Sequence, residues 1–176
     1  MRRGKLLPRV ATMDEIVAGG LTYRIANIWV VSSAGQILLQ KNNKPHHKNF
    51  GKWNASVTGK ISAGDTPLSG AQRELAEEIG LKLPPEKFKL LETLFFDYSK
   101  NNCELNSVGG VFVDVWVVRD DTPADKFVLQ ECEVAEVKWF DFDDVKNWRE
   151  KIEINSSTFD ARFAPLLKWF NNGGAK

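Results

Sequence analysis

The sequence predicts an α+β domain in which a mixed β-sheet is flanked by a few helices. Two observations carry this. Segments rich in β-branched and aromatic residues stand both before and after one amphipathic, acidic helix. No regular strand–helix–strand alternation runs through the chain, so a doubly wound parallel sheet is not expected.

Taken in order, residues 1–20 read as an N-terminal arm, 21–172 as the domain and 173–176 as a tail. TYRIANIWVV (22–31) has the composition of a strand. Ser-Ser-Ala-Gly (32–35) is a turn, and QILLQ (36–40) returns as its hairpin partner. KNNKPHHKNFGK (41–52) is a polar, basic loop, and WNASVTGKI (53–61) a further strand with a kink at Gly59. After the loop SAGD comes a helix. Thr66 caps it, Pro67 takes its first position, Leu68, Ala71, Leu75 and Ile79 form its core face, and Gly80 closes it. FKLLETLFFDYS (88–99) and SVGGVFVDVWVV (107–118) read as long strands joined by a polar turn, and VAEVKWF (134–140) as another. DFDDVKNWRE (141–150) reads as one short helix. STFDARFAPLLKWF (157–170) reads as a second, with Ser157 and Asp160 in a capping-box-like start and a kink or break at Pro165.

A chain of 176 residues suits one domain with a sizeable core. Its 43% hydrophobic and 27% charged residues are ordinary for a soluble globular protein. A net charge of +1 gives no footprint for general nucleic-acid binding and implies no membrane surface. A small phosphorylated ligand needs only local charge and stays open. Cys103 and Cys132 fit neither a metal spacing nor a disulfide framework, which suits a reducing compartment. No apolar run approaches a membrane span, and the basic start MRRGKLLPRV lacks the apolar stretch of a signal peptide. The expected location is cytoplasmic.

The helix itself poses the chemical question. RELAEEIG (73–80) places Glu74, Glu77 and Glu78 at i, i+3 and i+4, on one face. Like charges at this spacing weaken a helix. Either water screens them, with Arg73–Glu77 as a surface pair, or something strongly positive sits among them. A hard divalent cation such as Mg²⁺ takes oxygen ligands, commonly carboxylates with substrate phosphate and water. Three carboxylates beside the Gly-containing loop 59–64 supply such ligands.

The wider window, G-KISAG-D-TPLSGAQ-REL-A-EE-I-GL from Gly59, closely resembles the Nudix box. Every specified position of that 23-residue pattern matches except Asp65, where the family has Glu. The resemblance covers about residues 20 to 170. It implies a Nudix fold, an α/β/α sandwich around a mixed sheet. It also implies hydrolysis of a nucleoside diphosphate linked to another moiety, assisted by Mg²⁺ or Mn²⁺. Carried over, Glu74, Glu77 and Glu78 are metal-binding carboxylates, with Glu74 alternatively acting through a water or as a base. The main-chain carbonyl around Thr58 and Gly59 is a further ligand. Arg73 orients a carboxylate through its fork, a role Lys fills poorly. Asp65 braces the loop with a side chain one methylene shorter than the family's, so its contact with Arg73 is expected to be lengthened or remade.

ILLQK, GKWNASVTGKISAGD and ECEVAEVKWF further resemble the Nudix proteins related to isopentenyl-diphosphate isomerase. That isomerase needs a Cys just before the box Gly and a His just after it; here stand Thr58 and Lys60. Tyr23 and Asn27 occupy the neighbourhood of further expected histidines. A Thr hydroxyl is too weak an acid to replace a thiol in protonating an alkene. Hydrolysis is left.

For an acid outside the box, Gly110 and Val111 stand where related sequences carry Glu. Glu133 is then the first candidate, ahead of Glu131 and Glu104. Lys41 and Lys60 are the expected phosphate partners. Among Trp53, Phe50, Phe95, Phe96, Tyr98 and Trp116, one or two are expected to touch substrate, Trp53 first, the rest being core. His46 and His47 read as a solvated loop. The alternatives are a Nudix module that binds a nucleotide or protein without catalysis, and an RNA 5′-end pyrophosphohydrolase. The near-neutral charge counts against the latter. The partner expected is therefore a small diphosphate, with neither membrane nor nucleic acid.

Overall fold

The structure is a computed structural model that describes residues 10–45, 49–98, 109–154 and 158–174. His46, His47, Lys48, Cys103, Glu104, Ser157 and the turn between the two long strands lie outside the described residues.

The sheet is mixed, as expected. Strand β1 (Thr22–Val31) pairs in parallel with β6 (Gly110–Arg119) along its whole length, from Thr22 opposite Gly110 to Val31 opposite Arg119. β5 (Lys89–Phe96) lies antiparallel on the outer side of β6. β2 (Ile37–Asn42) pairs antiparallel with β7 (Val134–Phe140).

β1 and β2 do not zip into a full hairpin. They pair only at Val31 and Ile37, then splay. The gap is filled by β3 (Trp53–Asn54), antiparallel to β2, and β4 (Val57–Lys60), antiparallel to β1. The segment expected as one strand kinked at Gly59 therefore breaks earlier, at Ala55 and Ser56. Ser56 closes the tip of the splay. Its buried Oγ donates to the Leu38 carbonyl at 2.5 Å and accepts from the Val30 amide at 2.8 Å. Two backbone groups that neither strand can pair are thereby satisfied.

Because side chains alternate along β1, the sheet has two apolar faces. Ala26, Ile28, Val30, Leu38, Trp116 and Val118 meet Ala71, Leu75 and Ile79 of α2 (Pro67–Ile79). On the other face Trp29, Val31, Leu39, Val113 and Val115 meet α5 (Phe159–Trp169). There the Trp29 ring takes Phe159 and Phe163 edge-on at 5.6 and 5.5 Å. The result is the α/β/α sandwich that the resemblance implied.

Several helix details differ from expectation. Residues 12–18 of the arm hold a short helix, α1 (Met13–Ala18), with Thr12 and Glu15 forming a reciprocal capping box. Residues 141–150 give two pieces, α3 (Phe142–Lys146) and α4 (Trp148–Lys151), separated at Asn147. Asp160 does not cap α5, whose N-cap Thr158 makes no side-chain bond. Asp160 instead accepts from Trp148 Nε1 at 2.9 Å and pairs with Arg149, tying α4 to α5. α5 runs unbroken through Pro165, which is buried in its apolar face, so packing outweighs the one backbone bond that proline removes. No helix among the described residues is long and apolar enough to cross a membrane.

Candidate active site

The acidic residues are held where α2 leaves the loop after β4. Thr66 caps the helix through Ser69, Pro67 occupies its first turn, and Gly80 ends it at φ 73°. These local signals fix the register, and register decides which carboxylate turns inward.

They turn different ways. Glu77 stays exposed, with half its side chain in solvent. Glu74 and Glu78 are buried against the sheet, so the acidic face overlaps the core face. Gly59 makes room for Glu74. A Cβ at position 59 would sit 1.9 Å from Glu74 Cδ and Oε2 and 2.5 Å from its Cγ. Glycine is required there by close approach. Glu78 reaches Gln40 of β2, whose Nε2 donates to Oε2 at 2.9 Å, while Glu78 Oε1 is buried with no partner.

Arg73 is the hub. Its Nε donates to Asp65 at 3.1 Å, and one terminal nitrogen donates to Glu74 at 2.9 Å and Glu77 at 2.8 Å. The other terminal nitrogen donates to the Lys60 carbonyl at 2.9 Å and Ser62 Oγ at 3.3 Å. The shorter Asp65 thus keeps a direct ionic contact. Part of the expected repulsion is answered by this guanidinium. Two of the three carboxylates turn to Arg73 and the third to Gln40. Accordingly, among the described residues no three acidic, histidine or cysteine groups converge in a metal-holding arrangement.

The electrostatics follow from burial. Desolvation raises the Glu74 carboxyl; Arg73 opposes this, and Glu77 and Glu133 add to it. Desolvation pushes Glu78 up to about 8, against the Gln40 bond and Lys44, with Glu133 and Glu74 adding to the rise. Burial alone would lower Arg73, but Asp65, Glu74 and Glu77 together raise it above its ordinary value. Glu133 is near enough to act on both buried acids, and Lys44 holds it at 2.6 Å. Glu131 contributes its carbonyl to Asn43 Nδ2 at 2.6 Å.

The remaining expected residues are more dispersed. Lys60 is exposed and lends its carbonyl to Arg73. Lys41 lies 5.8 Å from the Trp53 ring centre and 3.9 Å from Glu136. Trp53 packs edge-on to Phe140 at 5.0 Å. Phe50 is exposed, Trp116 is core, Phe95 pairs with Phe112, and Phe96 stacks on Tyr98. At Gly110 a side chain would meet the Phe95 ring at 2.6 Å, so no glutamate fits there. Thr58 accepts from Asn27 Nδ2 at 3.0 Å. Sequence reasoning missed Gln40, Lys44 and Ser62. Gln40 had a signal, since it breaks the apolar run ILL on the face turned to α2.

The chain matches the NUDIX domain over residues 22–163. It belongs to the Nudix hydrolase family. It is 34% identical over 140 residues to Nudix hydrolase 3 of Arabidopsis thaliana, covering 78% of this chain and 18% of that protein. The chain thus spans less than a fifth of that relative's length. An isopentenyl-diphosphate Delta-isomerase of Serratia proteamaculans is 36% identical over 61 residues, 35% of this chain and 34% of that protein. The NUDIX domain of Shewanella oneidensis NrtR, solved with ADP ribose, is similar with a TM-score of 0.60 at 17% identity, over 86% of this chain and 87% of that one. That likeness concerns the Nudix fold.

Proposed function

We propose that the protein is a Mg²⁺- or Mn²⁺-dependent pyrophosphohydrolase. Its substrate is a nucleoside diphosphate linked to another moiety, or a related organic diphosphate. The observation that carries this is the pairing of Gly59 with Glu74: backbone is cut away to admit a carboxylate into a buried position beside Glu78 and its unpartnered Oε1. Buried acids without full partners are costly in a merely structural helix.

The donors are all oxygens and Glu78 Oε1 is unpartnered, a set whose chemistry suits a hard cation once the carboxylates that turn to Arg73 and Gln40 are drawn together. Glu74, Glu77, Glu78 and the Gly59 carbonyl would hold it. When bound, such a cation polarises a phosphoryl oxygen and lowers the pKa of water. The chain's own groups do the rest. Arg73 holds Glu74 and Glu77 in register, and Asp65 holds Arg73. Glu133, kept in place by Lys44, accepts the proton of the attacking water. Lys41 and Lys60 take substrate phosphate oxygens, and Trp53 borders the organic part. We place the protein in the cytoplasm, in keeping with its cysteine usage.

The test is phosphate or nucleotide release from NTPs, dinucleoside polyphosphates, nucleotide sugars, NADH, CoA and isoprenoid diphosphates, with Mg²⁺ or Mn²⁺. Wild type is run beside Glu77→Gln. Metal-dependent turnover lost in the variant is expected. Binding of a panel member without turnover would favour the non-catalytic module, a reading supported by the absence of a β6 glutamate.

A further inference from the structure

Gln40 is a polar residue in apolar surroundings. It follows Ile37, Leu38 and Leu39 on β2, is 6% exposed, and shares with Leu38 the face turned to α2. Opposite it on β7 stands Val137, and Leu75 and Ile79 of α2 pack on the same face. A helix–sheet contact that only packed would carry an apolar residue here, because a buried amide without full partners costs roughly 1–3 kcal/mol. This amide is half used. Its Nε2 donates to Glu78 Oε2 at 2.9 Å, while Gln40 Oε1 is buried with no partner.

Glu78 depends on that bond. It is 2% exposed, and among the described residues its side chain bonds to Gln40 alone. Its Oε1 has no partner. The nearby cations are engaged elsewhere. Lys44 meets Glu133 at 2.6 Å, and Arg73 meets Asp65, Glu74 and Glu77. One oxygen of Glu78 is thus pinned by a neutral donor, and the other is left without any donor. The choice of an amide matters. Arg or Lys at position 40 would itself neutralise the carboxylate. Leu or Met would let the carboxylate turn about its last bond. An amide fixes the orientation and leaves the negative charge whole.

We propose that Gln40 is a positioning residue for the cation site, its amide holding Glu78 Oε2 so that Oε1 is presented as the ligand oxygen. This rests on the reading of the α2 acids as cation ligands. The role of Gln40 runs through Glu78 alone.

Calorimetric titration of the full chain with Mn²⁺ at pH 8 tests it, in a double-mutant cycle of Gln40→Met and Glu78→Gln. Met resembles Gln in length but donates no hydrogen bond. Gln40→Met is expected to weaken Mn²⁺ binding about ten- to a hundredfold. In the Glu78→Gln background the same substitution is expected to change the Kd by less than about twofold, because the carboxylate it positions is gone. An unchanged Kd in Gln40→Met, whatever its Tm, would make Gln40 structural and overturn the proposal. Equal weakening in both backgrounds overturns it too, since Gln40 would then act by another route. So does failure of both Gln40→Met and Gln40→Leu to fold. Each of these outcomes leaves Mn²⁺ uptake by the wild type, and with it the reading of α2, intact. No uptake by the wild type would overturn that reading and this proposal together.

Discussion

Gly59→Ala is the sharpest perturbation of the site. Gly59 has an ordinary negative-φ strand conformation, so alanine brings no backbone strain. All of the effect comes from the new methyl group. Carbon atoms rest at about 3.5–4.0 Å, and this one would stand 1.9 Å from Glu74 Cδ and 2.5 Å from Cγ. Rotating the carboxylate cannot relieve a clash that includes Cγ, so the whole Glu74 side chain must leave. Overpacking costs about 1–3 kcal/mol, and the lost charge-assisted bond to Arg73 adds about 1–2 kcal/mol. For a domain of this size the expected drop in Tm is roughly 5–15 °C. Turnover should fall by about ten- to a hundredfold as Glu74 is driven from the site. Urea denaturation of wild type, Gly59→Ala, Glu74→Ala and the double variant isolates the clash. The double variant should recover about 1–3 kcal/mol relative to additivity without recovering activity. A Gly59→Ala protein that melts within about 1 °C of wild type and turns over normally would refute the reasoning.

Other expected outcomes concern pH, the hub and the splay. Glu78 has a folded pKa of about 8 against 4.5 when solvated, so the folded state holds the extra proton. The resulting stability is present at low pH and is lost as pH rises through about 8. In EDTA the unfolding free energy should therefore fall between about pH 4.5 and about pH 8, by an amount on the order of 5 kcal/mol, and Glu78→Gln should flatten the profile. Arg73→Lys keeps the charge but loses the fork that reaches Asp65, Glu74, Glu77 and the Lys60 carbonyl, and kcat should drop about ten- to a hundredfold. Asp65→Glu should change kcat less than about threefold, since the ionic contact is already direct. Ser56→Ala leaves the Val30 amide and Leu38 carbonyl unpaired in the core and should cost about 1–3 kcal/mol in urea denaturation.

Where the determinants are local, the sequence was readable. β1 and β7 have the bounds expected from their β-branched and aromatic runs, and α2 starts and ends on Thr66, Pro67 and Gly80 as expected. The Nudix box located the acids because its spacing is contiguous. What escaped is non-local. The break at Ala55 and Ser56 exists because β1 and β2 splay and need a plug, which no window of ten residues reveals. Asp160 looked like a cap but is claimed by Trp148 and Arg149 from another helix. Burial of Glu74 and Glu78 depends on Gly59 and Gln40, residues 15 and 38 positions away in the chain.

The central claim is that the buried acids of α2 bind a divalent cation. Electron paramagnetic resonance of Mn²⁺ reads this directly, since the free-ion signal falls as the ion is bound. Titrated at pH 8, wild type is predicted to take up Mn²⁺, with Glu78→Gln weakened at least about tenfold and Glu136→Gln unchanged. Equal uptake by wild type and Glu78→Gln, or none by wild type, would contradict the account.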